Sequence, residues 1–216
     1  MHGEGVGGRG SINCAMEHPI TLQDRARAFT RTWLENIGAA LHRAHVHPDA
    51  ITLLGLGMVV VAAVFIGRGE LQVGGLILLL GLPLDALDGA VARAMGRTGK
   101  FGGVLDSTLD RYADSFIFAA LGYYYAAQAR LDYLLLAFAS LMGSYIVSYV
   151  RARAGEAGLS VKVGVFDRFV RVIIILAMLF IPDLLPVGLW VLAIGTNITG
   201  LQRLWYVYRL TERQNN

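Results

Sequence analysis

The sequence is poor in cysteine and in charge. Cys14 is the single cysteine among 216 residues, so no disulfide closes within the chain and no cysteine cluster can hold zinc or an iron–sulfur centre. That sets redox chemistry aside. Charged residues make up only 16% of the chain against 55% hydrophobic ones, and the mean hydropathy of +0.53 is too high for a water-soluble domain of this size. A disordered chain would need low hydrophobicity and a collagen-like one a strict glycine period, and the 26 glycines show no such period. What remains is a small integral membrane protein.

Charge-poor stretches run over residues 51–67, 71–84, 115–129, 133–150, 172–182 and 184–202. They predict an all-α fold with six transmembrane helices, in one domain over residues 45–213. Several stretches fall short of the roughly 20 residues a bilayer requires, so some helices must continue through charged residues into water or a polar cavity. Function is expected in those extensions.

The net charge of +3 and pI of about 9.2 reflect topology rather than nucleic-acid binding. If the N-terminus is cytoplasmic, only Arg68 and Arg130 of the 19 Lys and Arg residues fall on the outer side, which is the positive-inside bias of a multi-pass cell-membrane protein. The glycine-rich start has no apolar face, and residues 1–19 read as a disordered arm. Over residues 20–44, Leu22, Ala26, Phe29, Trp33, Ile37 and Leu41 recur at helical spacing with Arg25, Arg27 and Arg31 among them. This pattern predicts an N-terminal amphipathic helix lying in the membrane surface, the alternative being a soluble helix packed on the cytoplasmic face. His42, His45 and His47 fall on different faces of a helix and read as polar interface residues.

The richest stretch is Asp85-Ala-Leu-Asp88-Gly89-Ala-Val-Ala92-Arg93, followed by Gly102-Gly-Val-Leu-Asp106-Ser-Thr-Leu-Asp110-Arg111. Asp85 and Asp88 are spaced i,i+3 and Asp106 and Asp110 i,i+4, so on helices each pair shares a face. Residues 95–100, with Gly96, Gly99 and several cations, predict a tight cytoplasmic turn that brings the two helices side by side. Four carboxylates that close demand a counter-charge. Oxygen ligands without His or Cys favour Mg²⁺, Mn²⁺ or Ca²⁺, and two such ions would suit phosphoryl transfer. The alternative is a set of interfacial ion pairs with Arg93, Lys100 and Arg111.

The pattern D-x-x-D-G-x-x-A-R, eight residues, then G-x-x-x-D-x-x-x-D resembles the signature of the CDP-alcohol phosphotransferases, with every fixed position present. The resemblance covers about residues 45–210. It implies a six-helix membrane enzyme, usually a homodimer, that transfers a substituted phosphate from a CDP-linked lipid or alcohol to an acceptor hydroxyl and releases CMP. By that resemblance Asp85, Asp88, Asp106 and Asp110 would hold two divalent ions, Mg²⁺ or Mn²⁺, and Asp110 would also be the general base. The CDP-lipid would be met by Gly89, Arg93, Gly99, Gly102 and the first turn of the first membrane helix, Pro48, Asp49, Ala50, Ile51 and Thr52. Gly99 stands where related sequences often have threonine.

A second polar cluster comprises Ser148, Arg151, Arg153, Arg168, Arg171 and Arg203. Arginines near the cytoplasmic face form a plausible phosphate pocket, because guanidinium binds phosphate oxygens bidentately; topological flanking and lipid head-group contact are the alternative. The run S-Y-V-R-A-R-A, then G-L, then R-F-V-R resembles the phosphatidylinositol phosphate synthases, with Arg151 where lysine is common. It implies CDP-diacylglycerol as donor and inositol 1-phosphate as acceptor, with these six residues on the acceptor's phosphate. Two other readings compete: the same chemistry with glycerol 3-phosphate or another alcohol, and a cation transporter, since intramembrane carboxylates also mark ion pathways.

Overall fold

The computed structural model describes residues 48–94, 100–161 and 163–215, with side chains at 49–84, 101–161 and 163–212. The expected N-terminal arm, the juxtamembrane helix and the turn at 95–99 lie outside the described residues. Among the described residues every regular element is helical: α1 (Pro48–Gly67), α2 (Leu71–Ala94), α3 (Lys100–Ala127), α4 (Leu131–Glu156), α5 (Arg168–Phe180), a 3-10 turn (Pro182–Leu184) and α6 (Leu185–Asn215).

Among the described residues, three stretches are long and apolar enough to cross a membrane: Asp49–Gly67, Leu131–Glu156 and Pro182–Glu212; Leu71–Leu84 is a shorter apolar segment. The helices outrun the charge-poor stretches in the direction of the polar clusters. Helix α2 continues ten residues past Leu84 to Ala94, α3 starts at Lys100 rather than at Ser115, and α4 runs on to Glu156.

Several helices stop by the same device, a left-handed residue just past the end whose neighbour bonds back to the last turn. Gly69 (φ +88°) ends α1, with Glu70 N–H donating to Phe65 O at 2.9 Å, and Gly158 (φ +74°) ends α4, with Leu159 N–H donating to Ala154 O at 2.8 Å. At the end of α3 the residue is Ala129 (φ +57°), with Arg130 N–H donating to Tyr125 O at 2.9 Å. Asp167 caps α5, its side chain accepting from Val170 N–H.

Neighbour packing closes a ring in the order α1–α2–α5–α6–α4–α3. Its apolar heart includes Ala62, Ile66, Phe118, Leu121, Met178, Leu179, Leu189 and Leu192. The exterior is apolar too, with Leu54, Val61, Leu80, Leu135, Phe138, Val187 and Trp190 exposed. Water would penalise such a surface and hydrocarbon would not. The α4–α6 contact is tight and polar. Asn197 Nδ2 donates to Ala139 O at 3.0 Å, and Gly143 lies so close to Thr196 that a Cβ there would collide with its hydroxyl. Small residues and interhelical hydrogen bonds do here what hydrophobic burial cannot do in lipid.

Candidate active site

Helix α3 carries Asp106, Asp110 and Asp114 at i, i+4 and i+8, a single row along one face. The Asp106–Asp110 part of the row faces a cleft of about 500 Å³ whose walls also carry Ser148 and Arg151 from α4, Arg168 and Arg171 from α5, and Arg203 from α6. Asp106 and Asp110 line it directly. Five of the six residues expected to hold an acceptor phosphate are therefore brought together beside two of the four expected metal ligands. Arg153 is not. It is exposed and pairs with Glu156, because two residues of helix carry it around to the far side of α4 from Arg151.

The electrostatics favour an anion. Arg111, Arg151, Arg168, Arg171 and Arg203 line the cleft against Asp106, Asp110 and Asp167. Arg168 Nη2 lies 2.8 Å from Asp110 Oδ1, whereas Arg111 Nη1 is 3.6 Å from Asp110 Oδ2 and donates to Ser107 O at 2.6 Å. The nearer cation on Asp110 thus comes from another helix. Arg171, only 3% exposed, donates from Nη2 to Asp114 Oδ2 at 2.9 Å.

Arg203 is buried as well, and two of its nitrogens serve the backbone: Nε donates to Val163 O at 3.0 Å and Nη1 to Val147 O at 2.8 Å. It ties the loop before α5 to the body of α4. Gly164 in that loop has φ +100° and lies against Thr199, so a side chain there would be both strained and obstructed.

A second, apolar cavity of about 90 Å³ lies between α1, α2, α3 and α5. Ile51 and Thr52 of the first turns of α1 line it together with Leu56, Leu82 and Ile175. Asp110 and Arg168 line this cavity and the polar cleft alike, so the two meet at that pair. Pro48, Asp49 and Ala50 open α1 ahead of Ile51. Gly102 sits on an open face of α3, with nothing near where a Cβ would stand. Asp85, Asp88, Gly89 and Arg93 belong to the last turns of α2, but their side chains lie outside the described residues, as does Gly99 altogether. No group of three or more metal-ligating side chains occurs among the described residues, which hold only the α3 half of the expected set.

Two residues of the site escape a reading of motifs. Asp114 continues the α3 row one turn beyond Asp110, and Asp167 stands just before an apolar helical run, the usual place of an N-cap.

Residues 45–200 match the CDP-alcohol phosphatidyltransferase family. The chain is 37% identical over 221 residues to a phosphatidylinositol phosphate synthase of Streptomyces avermitilis, covering 96% of this chain and 91% of that one. It is 39% identical over 186 residues to an archaetidylinositol phosphate synthase of Pyrococcus horikoshii, covering 85% and 95%. The fold is similar to the crystal structure of the Mycobacterium tuberculosis phosphatidylinositol phosphate synthase with CDP-DAG bound, with a TM-score of 0.77, 34% identity and coverage of 81% and 93%. The same enzyme solved with manganese and citrate matches with a TM-score of 0.76, 34% identity and coverage of 81% and 88%.

Proposed function

The chain belongs to the CDP-alcohol phosphatidyltransferase family, and from that premise we propose that it joins CDP-diacylglycerol to inositol 1-phosphate, giving phosphatidylinositol phosphate and CMP. The observation that carries this reading is the meeting of an apolar cavity and an arginine-lined cleft at Asp110 and Arg168. A lipid-linked diphosphate and a water-borne phosphate need such unlike surroundings within reach of one carboxylate.

In the reaction the acceptor hydroxyl attacks the β-phosphorus of the donor, the bond from that phosphorus to the CMP oxygen breaks, and the hydroxyl proton passes to Asp110. Arg151, Arg168, Arg171 and Ser148 hold the acceptor's phosphate, which leaves its hydroxyl to be aimed at the donor. Gly89, Arg93, Gly102 and the opening of α1 receive the CDP portion. Asp106 and Asp110 offer only oxygen atoms from one face of α3, a donor set that fits a hard divalent cation and that Asp85 and Asp88 would complete for two ions, Mg²⁺ or Mn²⁺. When bound, the ions supply electrostatic stabilisation of the charge that builds on the diphosphate. The carboxylates would hold such cations, and the arginines keep the acceptor's own negative charge from repelling the donor.

The protein is a multi-pass membrane protein. We place all six helices across the cell membrane, with the N-terminus and the cleft on the cytoplasmic side, and take the active form as a homodimer. The deciding experiment is CMP release by the purified protein with CDP-diacylglycerol and Mg²⁺, comparing inositol 1-phosphate, free inositol, glycerol 3-phosphate and serine. Release with inositol 1-phosphate alone is expected. Release with glycerol 3-phosphate alone would overturn the acceptor, and metal flux without CMP release would overturn the enzyme.

A further inference from the structure

Helices α3 and α5 are not neighbours in the ring; they stand across it from each other. Two ion pairs nevertheless join them, Asp110 with Arg168 and Asp114 with Arg171. The pairs differ in their arginines: the Arg168 side chain is 41% exposed, whereas that of Arg171 is 3% exposed with Asp114 at 15%. A pair whose guanidinium is buried is poorly screened and holds its geometry, which a screened surface pair does not.

Arg171 is not spent by that pair. Its Nη2 serves Asp114 and its Nη1 reaches Phe166 O at 3.5 Å, the outer limit of a hydrogen bond, while its buried Nε has no partner among the described residues. A buried guanidinium N–H without an acceptor is costly, and Arg171 lines the cleft in which an acceptor anion would sit. Asp114 lies deeper along α3, where it lines the apolar cavity and not that cleft, so it has no direct reach to the anion.

We propose that Asp114 is a positioning residue for acceptor recognition: by clamping one nitrogen of Arg171 from across the ring, it presents the rest of that guanidinium to a phosphate monoester in the cleft. The assignment rests on the reading of the cleft as the acceptor's phosphate site. It gives the two arginines of α5 different duties. Arg168 adapts to the ligand, and Arg171 is set in advance, so that binding does not have to order it.

The test is steady-state CMP release, with inositol 1-phosphate and CDP-diacylglycerol varied in turn. Asp114→Asn should raise the KM for inositol 1-phosphate by about tenfold or more, with the donor KM within twofold and kcat within threefold. Because Asp114 acts through Arg171, the double variant Asp114→Asn/Arg171→Ala should be no worse in acceptor KM than Arg171→Ala alone. A residue that merely stabilises the fold would multiply the two losses. Should Asp114→Asn fail to fold, Asp114→Glu keeps the charge and should raise acceptor KM by less than Arg171→Ala does. An unchanged acceptor KM in the Asp114 variant, beside a raised one in Arg171→Ala, would overturn the assignment and leave the acceptor reading intact. Wild-type protein that releases no CMP with inositol 1-phosphate would instead overturn the acceptor reading.

Discussion

Replacing Arg203 by methionine separates two duties that the arginine could perform. By resemblance it would touch the acceptor's phosphate; in the structure it donates to Val163 O at 3.0 Å and to Val147 O at 2.8 Å while 4% exposed. Each charge-assisted hydrogen bond of this kind contributes about 1.5–3 kcal/mol. Methionine keeps most of the side-chain volume and removes both bonds. Part of the loss is offset, because Val147 lies inside α4, where its carbonyl has a helical partner, and because Arg203 shares the cleft with Arg151 and Arg171, whose mutual repulsion is relieved. A net loss of about 3 kcal/mol follows, equivalent to a fall in Tm of roughly 6–12 °C for a chain of this length. Thermal unfolding of the ligand-free protein in detergent measures it. Val163 stands in the loop that leads to Asp167 and to Arg168 at the start of α5, so acceptor KM should rise in the same variant. If Tm falls by less than about 2 °C while acceptor KM still rises, Arg203 serves the ligand and not the loop, and the tether is refuted.

Asp110→Asn should lower turnover by at least about 1,000-fold while CDP-diacylglycerol binding, followed by equilibrium titration, stays within a few-fold; full activity would remove Asp110 from the role of base. Arg168→Ala should raise acceptor KM by roughly 10–100-fold and leave donor KM nearly unchanged, whereas Arg153→Ala should alter neither by more than about twofold, the contrast being read in one set of CMP-release curves. Gly143→Val should destabilise the fold by more than about 2 kcal/mol, seen as a lowered Tm, since its side chain would collide with Thr196 and part α4 from α6. Chelation with EDTA should abolish CMP release, and Mg²⁺ or Mn²⁺ should restore it; activity that persists in EDTA would refute the divalent ions.

Much of the architecture was legible because lipid imposes a coarse rule: charge-poor stretches mark helices, and each of the six stretches falls on a helix, overrunning its end by no more than two residues. The ends were less legible. Helix α3 begins at Lys100 because its first half turns a row of carboxylates toward a cleft, and a charge count treats those residues as an interruption. Periodicity carried the Asp106–Asp110 pair, and it separates Arg153 from Arg151, although both sit in one motif. Composition could not reveal what Arg203 bonds to, since its partners are backbone carbonyls supplied by other parts of the chain. Asp114 was hidden for a similar reason. Its partner is 57 residues away, joined to it only once the ring has closed.

The junction of the two cavities at Asp110 and Arg168 makes this a catalyst that draws on two phases. The donor is counted by its fraction of the membrane surface and the acceptor by its molarity in water, and no single concentration describes the pair. Diluting the lipid with detergent at fixed amounts of every reactant would slow turnover, although nothing in the aqueous phase had changed. One product stays in the plane of the membrane and the other diffuses away, so the membrane retains the new head group while CMP is lost to a far larger volume. That asymmetry of escape would add to the drive toward synthesis that comes from exchanging a diphosphate linkage for a phosphate ester.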